Sequence, residues 1–127
     1  MTKDLNNLLE VAREAAKQAY APYSGYHVGS AVKCADGSVY SACNVENASY
    51  SLSICAERAA IFKALSEGKR DFTAIAIYVD SDKIFPPCGA CRQVIYEFSP
   101  KITVVYANHD ETIETTIAEL LPGAFGL

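Results

Sequence analysis

The chain lacks any apolar run long enough to cross a membrane; its longest unbroken one, Ala74 to Val79, is the length of a strand. No apolar core of a signal peptide stands behind Met1-Thr2-Lys3-Asp4, so a cytoplasmic location is expected. A basic excess is also missing. The 127 residues carry a formal net charge of −4, and Lys69-Arg70 is the single adjacent basic pair. Phosphate backbones and anionic lipid surfaces therefore exert no long-range pull, and neither nucleic acid nor a membrane is expected as a partner. The five cysteines do not form an even set. They suit a metal or free thiols in a reducing compartment better than disulfides. Internal repeats, low-complexity stretches and linkers are absent. Half the residues are hydrophobic, enough for one domain over residues 1–127 with a core of its own.

What is present has a clear order of elements. Leu5, Leu8, Leu9, Ala12, Ala15, Ala16 and Ala19 recur at three- and four-residue steps, which predicts an amphipathic helix over residues 4–20. Ala21-Pro22-Tyr23-Ser24-Gly25 ends it. Val28 to Cys34 and Ser38 to Cys43 read as two strands joined at Asp36-Gly37, a hairpin signal. After a loop from Asn44 to Ser53, a helix is expected over residues 54–67, with Ser53 as N-cap and Gly68 as its end. Thr73 to Val79 reads as a buried strand, Cys88 to Phe98 as a third helix, Ile102 to Ala107 as a fourth strand and residues 111–115 as a weak fifth. Thr116-x-x-Glu119 is a capping-box pattern before a last short helix, closed by Pro122-Gly123. The β-α-β-α-β order predicts parallel strands with crossover helices, entered through an antiparallel hairpin. The expected fold class is α/β: a mixed sheet with helices on both faces.

Two motifs carry chemistry: Cys55-Ala56-Glu57 and Pro87-Cys88-Gly89-Ala90-Cys91. Three thiolates fill three corners of the tetrahedron that Zn²⁺ prefers and leave the fourth for water, the arrangement of a catalytic site. All three cysteines fall at predicted helix starts, where unpaired N–H groups and the helix dipole favour thiolate. Glu57 can then move the protons of that water. Three thiolates also leave excess negative charge, so Arg58 or Arg92, each beside a motif residue, is expected to donate to sulfur. Cys-x₂-Cys alone is weak: a redox pair, a structural zinc knuckle or two buried thiols would look the same. Cys34 and Cys43 lie in predicted strands and read as small core residues; His27 and His109 are isolated. Both motifs together, in this order, favour the catalytic reading. Asn44 and Glu46 are a candidate hydroxyl-binding pair, since a carboxylate accepts from sugar hydroxyls and repels phosphate; a polar turn explains them equally well.

With Ala21-Pro22-Tyr23-Ser24, Val28-Gly29, Cys43-Asn44-Val45-Glu46-Asn47-Ala48, Cys55-Ala56-Glu57-Arg58, Pro87-Cys88-Gly89-Ala90-Cys91-Arg92-Gln93 and Leu120-Leu121-Pro122-Gly123-Ala124-Phe125, the chain resembles the small cytidine deaminases of the homotetrameric, all-cysteine zinc class. The resemblance covers essentially the whole sequence. Zinc-deaminase signatures of the H-x-E…P-C-x-x-C kind begin with His; Cys55 stands there here, the three-cysteine version. The resemblance implies a three-layer α-β-α fold with a five-stranded mixed sheet, and one Zn²⁺ per subunit on Cys55, Cys88 and Cys91. It implies Glu57 as the proton-transfer group, with hydroxide adding to C4 of the base of cytidine or 2′-deoxycytidine and ammonia leaving. Arg58 would soften the thiolate charge, Asn44 and Glu46 would grip the 3′-hydroxyl, and backbone around Ala56 would read the base edge. Tyr26 stands where the family commonly has Phe against the pyrimidine; its ring offers the same face for stacking. The resemblance further implies a homotetramer in which Tyr50 and Phe125 reach a neighbour's pocket, and a place in pyrimidine salvage.

Three rivals share some of these features. An editing deaminase of RNA or DNA needs a basic track that this acidic chain lacks. A deaminase of a nucleoside antibiotic would use the same zinc with a different pocket, and Asn44 with Glu46 favours the ordinary nucleoside. A non-catalytic zinc module would close its coordination shell and have no use for Glu57.

Overall fold

The computed structural model describes residues 1–127. Helix α1 (Lys3–Ala16) leads into the hairpin β1 (Val28–Cys34) and β2 (Val39–Cys43). A single 3₁₀ turn (Tyr50–Leu52) precedes α2 (Ala56–Ser66), then come β3 (Phe72–Val79), α3 (Gly89–Phe98), β4 (Thr103–Ala107), β5 (Thr112–Thr116) and α4 (Ile117–Leu120). The five strands form one sheet in the order β2-β1-β3-β4-β5. Only β3 and β4 pair in parallel; β1 runs antiparallel to both β2 and β3, and β5 to β4. The expected mixed sheet is therefore present, but β2 and β3, which run in the same direction, are separated by β1. The crossover through α2 passes over that strand.

Helices cover both faces. On one, α1 sets Leu8, Ala12 and Ala16 against Ala31, Ala74, Ala76 and Val105. These side chains are small, and the helix comes very close. A Cβ on Gly29 would lie 1.9 Å from the Ala12 carbonyl oxygen and 2.4 Å from the Ala16 nitrogen, so only glycine fits there. On the other face, α2, α3 and α4 bury Ile61, Ile95 and Ile117 against Val32, Ile75, Ile77 and Val104.

Differences from the sequence expectations fall at element ends, and each has a cause. Helix α1 stops at Ala16 rather than at residue 20. The Tyr20 backbone instead bridges to the segment around Val45, donating to the Asn44 carbonyl (3.0 Å) and accepting from the Glu46 N–H (2.8 Å). Helix α2 starts at Ala56, with Cys55 and not Ser53 as its N-cap. Ile54 and Val45 exchange backbone hydrogen bonds of 3.0 and 3.1 Å, which keeps the chain extended up to the cysteine. Ser53 is spent on the loop, its hydroxyl accepting from the Asn47 N–H (2.9 Å). Ser38 belongs to the hairpin turn, where Asp36 accepts from its N–H (2.9 Å) and hydroxyl (2.6 Å). Gly37 takes φ +91° there, a conformation that costs glycine little. Thr116 caps α4 by accepting from the Glu119 N–H, but the carboxylate of Glu119 takes the Thr115 hydroxyl. The capping box is half made.

Candidate active site

Strands β2 and β3 run in the same direction, so the segments that leave them emerge on one side of the sheet. From β2 comes the loop with Asn44, Glu46 and Tyr50 and then α2; from β3 comes the loop 80–88 and then α3. A cavity of about 510 Å³ opens there, in the range of small-molecule sites and beyond the carboxyl ends of strands where α/β sheets gather ligands. Cys55 and Cys88 are the N-caps of α2 and α3, and neither spends its side chain on capping. Cys91 lies in the first turn of α3 and is fully buried. The three Sγ atoms lie within 4.8 Å of one another, and no other His, Cys, Asp or Glu joins the group.

The cluster fits a zinc ion. Cys55 Sγ and Cys88 Sγ are 3.8 Å apart, the edge of a tetrahedron whose centre is about 2.3 Å from each sulfur. A disulfide would need about 2.05 Å, and all five cysteines are free. Cys34 and Cys43 lie elsewhere, Cys34 packed in the core below α2. His109 is held by Asp80 (2.6 Å) and Asp82 (3.2 Å). Three sulfurs and no fourth protein donor match an open catalytic site rather than a closed structural one.

The surroundings are tuned for charge. The Arg58 Nη2 donates to Cys55 Sγ at 3.3 Å. The Cys55 thiol is drawn down to about 5, first by the neighbouring Cys91 thiol and, against the effect of burial, by Arg58. The Cys91 thiol is pushed up by its closeness to Cys55 and by burial. Glu57 is 5 % exposed. Burial raises its carboxyl to about 7, opposed by its own backbone N–H and reinforced by the charge on Cys55. Arg92, the other guanidinium expected near sulfur, is engaged differently: its Nε donates to the Pro87 carbonyl (2.7 Å) and its Nη1 to the Leu120 carbonyl (2.8 Å). It braces the chain just before Cys88 instead of the thiolate.

The cavity wall brings together Tyr26, Asn44, Glu46, Tyr50, Ala56, Glu57 and Arg58. Asn44 is wedged under the backbone, donating from Nδ2 to the Tyr26 carbonyl (2.8 Å) and accepting at Oδ1 from the Val28 N–H (2.9 Å). Glu46 accepts from the Tyr23 and Ser24 N–H groups (2.9 and 3.0 Å) and from the Ser24 hydroxyl (2.5 Å). These bonds, the Ser24 hydroxyl foremost, hold its carboxyl below the usual carboxylate range. Tyr50, 75 % exposed, stands at the rim. Phe125 lies outside the cavity of its own chain, 69 % exposed, with its carbonyl accepting from Gln93 Nε2 (3.0 Å).

The zinc-binding region of cytidine and deoxycytidylate deaminases matches residues 2–107. The chain belongs to the cytidine deaminase family. A cytidine deaminase of Halalkalibacterium halodurans is 51% identical over 124 residues, covering 96% of this chain and 94% of that protein. One of Sporosarcina psychrophila is 48% identical over 124 residues, covering 96% and 91%. The crystal structure of a cytidine deaminase from Burkholderia pseudomallei superposes with a TM-score of 0.91 at 46% identity, over 98% of this chain and all of that one. The α/β fold of the family and its zinc cofactor follow for this chain, and its three clustered sulfurs could hold the ion.

Several residues of this deaminase site escaped the sequence reading. Phe85 meets Tyr26 edge-on, with ring centroids 4.9 Å apart and planes at 78°. Val28, Ile54, Ile77, Val79 and Pro86 complete the apolar lining. Phe85-Pro86-Pro87 directly before Cys88 was the available signal: an aromatic on a stiff loop beside a metal motif. Ser24 offered none, because its tie to Glu46 spans 22 residues.

Proposed function

We propose that this chain hydrolyses cytidine and 2′-deoxycytidine to uridine and 2′-deoxyuridine, releasing ammonia. The observation that carries this reading is the burial of Glu57 in the floor of an otherwise largely apolar cavity, two residues from a cysteine of the three-sulfur cluster. Cys55, Cys88 and Cys91 hold the zinc. When bound, it supplies Lewis-acid activation of water. Glu57, buried beside the sulfur cluster, takes a proton from water and gives it up again. It passes the first proton to ring N3 as oxygen adds to C4; it then takes the proton of the new C4 hydroxyl and gives it to the amino group, so that ammonia leaves as the C4 carbonyl forms. Arg58 withdraws charge from Cys55. Backbone at the start of α2, at Ala56, faces the base edge, and the Tyr26 and Phe85 rings flank it.

Asn44 and Glu46 bind the sugar 3′-hydroxyl. Asn44 keeps one N–H of its amide free after serving Tyr26 and Val28. Glu46, held ionised, welcomes a hydroxyl and repels a 5′-phosphate, which favours nucleosides over nucleotides. Residues 1–127 form the catalytic unit. The exposed rings of Tyr50 and Phe125 suit burial against other copies, in a homotetramer where each completes a neighbour's pocket. No helix is long and apolar enough to cross a membrane; a cytoplasmic role in pyrimidine salvage accords with a free nucleoside substrate.

The test is direct. Purified protein with cytidine should give the ultraviolet change to uridine, and Glu57→Gln should keep its zinc and lose nearly all turnover. Full activity in that variant would remove Glu57 from the mechanism. Zinc bound without any turnover in the unaltered protein would point to a non-catalytic module.

A further inference from the structure

The turn from Ala21 to Gly25 and the carboxylate of Glu46 form one hydrogen-bonded unit at the sugar end of the cavity. The turn closes with the Gly25 N–H on the Ala21 carbonyl (3.0 Å), and Gly25 takes φ +75°. Glu46 Oε1 accepts two backbone N–H groups, from Tyr23 and Ser24, while Oε2 accepts the Ser24 hydroxyl. The same hydroxyl accepts from the Tyr26 N–H at 3.0 Å. Ser24 thus connects the carboxylate to the backbone of the aromatic wall. An ionised carboxylate has about four acceptor directions. Three are taken inside the protein, and the one that remains lies on Oε2.

We propose that Ser24 is a positioning and specificity-determining residue, whose hydroxyl aims Glu46 so that the carboxylate accepts one sugar hydroxyl and has no place for a second. The inference rests on the reading of Glu46 as the ribose contact. Without the hydroxyl, Oε1 stays on its two backbone N–H groups while Oε2 turns about that anchor, and each substrate must aim its acceptor anew. A carboxylate with one open acceptor reads the 3′-hydroxyl and is blind to the 2′ position. Cytidine and 2′-deoxycytidine are then equivalent at this group.

The zinc-loaded protein and its Ser24→Ala, Ser24→Thr and Glu46→Ala variants are assayed with cytidine and 3′-deoxycytidine, and uridine binding is measured by calorimetry. Ser24→Ala should raise KM for cytidine about tenfold, the scale of a hydrogen bond to a charged group, with kcat nearly unchanged. It should weaken uridine equally and leave 3′-deoxycytidine unaffected. Ser24→Thr, which keeps the hydroxyl on an exposed residue, should stay close to the unaltered protein. Ser24→Cys, near in size and a poor donor, repeats the test should the alanine variant fold poorly. An unchanged KM in Ser24→Ala, or an equal loss for both substrates while Glu46→Ala still discriminates between them, would overturn the role of Ser24. Failure of Glu46→Ala to discriminate would instead remove the ribose reading beneath it.

Discussion

Arg58 donates through Nη2 to Cys55 Sγ at 3.3 Å, and the two residues lie one turn apart at the start of α2. Helical spacing puts the guanidinium over the sulfur without any help from the rest of the fold. A thiolate relieved of charge is a weaker donor to zinc and leaves the ion more acidic. Arg58→Gln should therefore bind zinc and lower kcat about tenfold or more, as outer-shell substitutions at metal sites do. Turnover per bound zinc, with the metal measured by elemental analysis, checks this; equal turnover would show that Arg58 does not tune the site.

Glu57 gives the metal-free protein a distinctive pH dependence. Its carboxyl is raised from about 4.5 in the unfolded chain to about 7 in the folded one, chiefly by burial. The folded state therefore holds this proton more tightly. The associated stability is full below about 4.5 and is lost as pH rises through about 7. Glu57→Gln removes the group, so the metal-free variant should be the more stable protein at pH 8, by up to about 3 kcal/mol. The difference should narrow toward pH 5. Urea midpoints at several pH values measure it, and a difference that does not change with pH would refute the burial argument.

Gly29→Ala tests the closeness of α1 to the sheet. The added carbon would meet backbone, the Ala12 oxygen at 1.9 Å, and backbone cannot rotate away. The helix must lift off its bed of alanines. A cost of about 3 kcal/mol or more is expected, read as a fall in the thermal or urea midpoint. A midpoint close to that of the unaltered protein would show that α1 shifts freely.

His109 joins the β4–β5 turn to the loop that follows β3. Its ring meets Asp80 and Asp82, and its N–H donates to the Ser81 carbonyl at 3.3 Å. Asp80 first, then Asp82, raises the imidazole above its ordinary value. A raised histidine contributes stability that is fully present below about 6.5 and disappears as pH climbs through the folded value. The melting temperature should exceed that of His109→Gln near pH 6 and converge with it at alkaline pH. These groups are exposed, so the gap should shrink in 1 M salt. A gap constant in pH would mean that the imidazolium is not what holds the turn.

The features legible in the sequence were those set by near neighbours. Asp36-Gly37 announces its hairpin because the turn needs those two residue types side by side. Cys55-Ala56-Glu57 and Cys88-Gly89-Ala90-Cys91 are legible because a helix start converts short spacing into convergence. What could not be read depends on distant partners. The end of α1 is decided by Tyr20 pairing toward Val45, and the start of α2 by Val45 pairing with Ile54. Arg92 lies as close in sequence to Cys91 as Arg58 does to Glu57, yet it turns away because two carbonyls, one of them 28 residues distant, claim its guanidinium. Phe85 enters the cavity because its loop folds back on Tyr26, a meeting that no local pattern encodes.

The two grips of Arg92 have a mechanical consequence. One hand holds Pro87, the residue before a sulfur donor, and the other holds Leu120, where the last helix gives way to the tail bearing Phe125. Neighbouring Gln93 keeps that tail on the same helix. The metal loop and the tail are thus yoked to a single rigid rod. A displacement of the tail is therefore passed to the loop before Cys88.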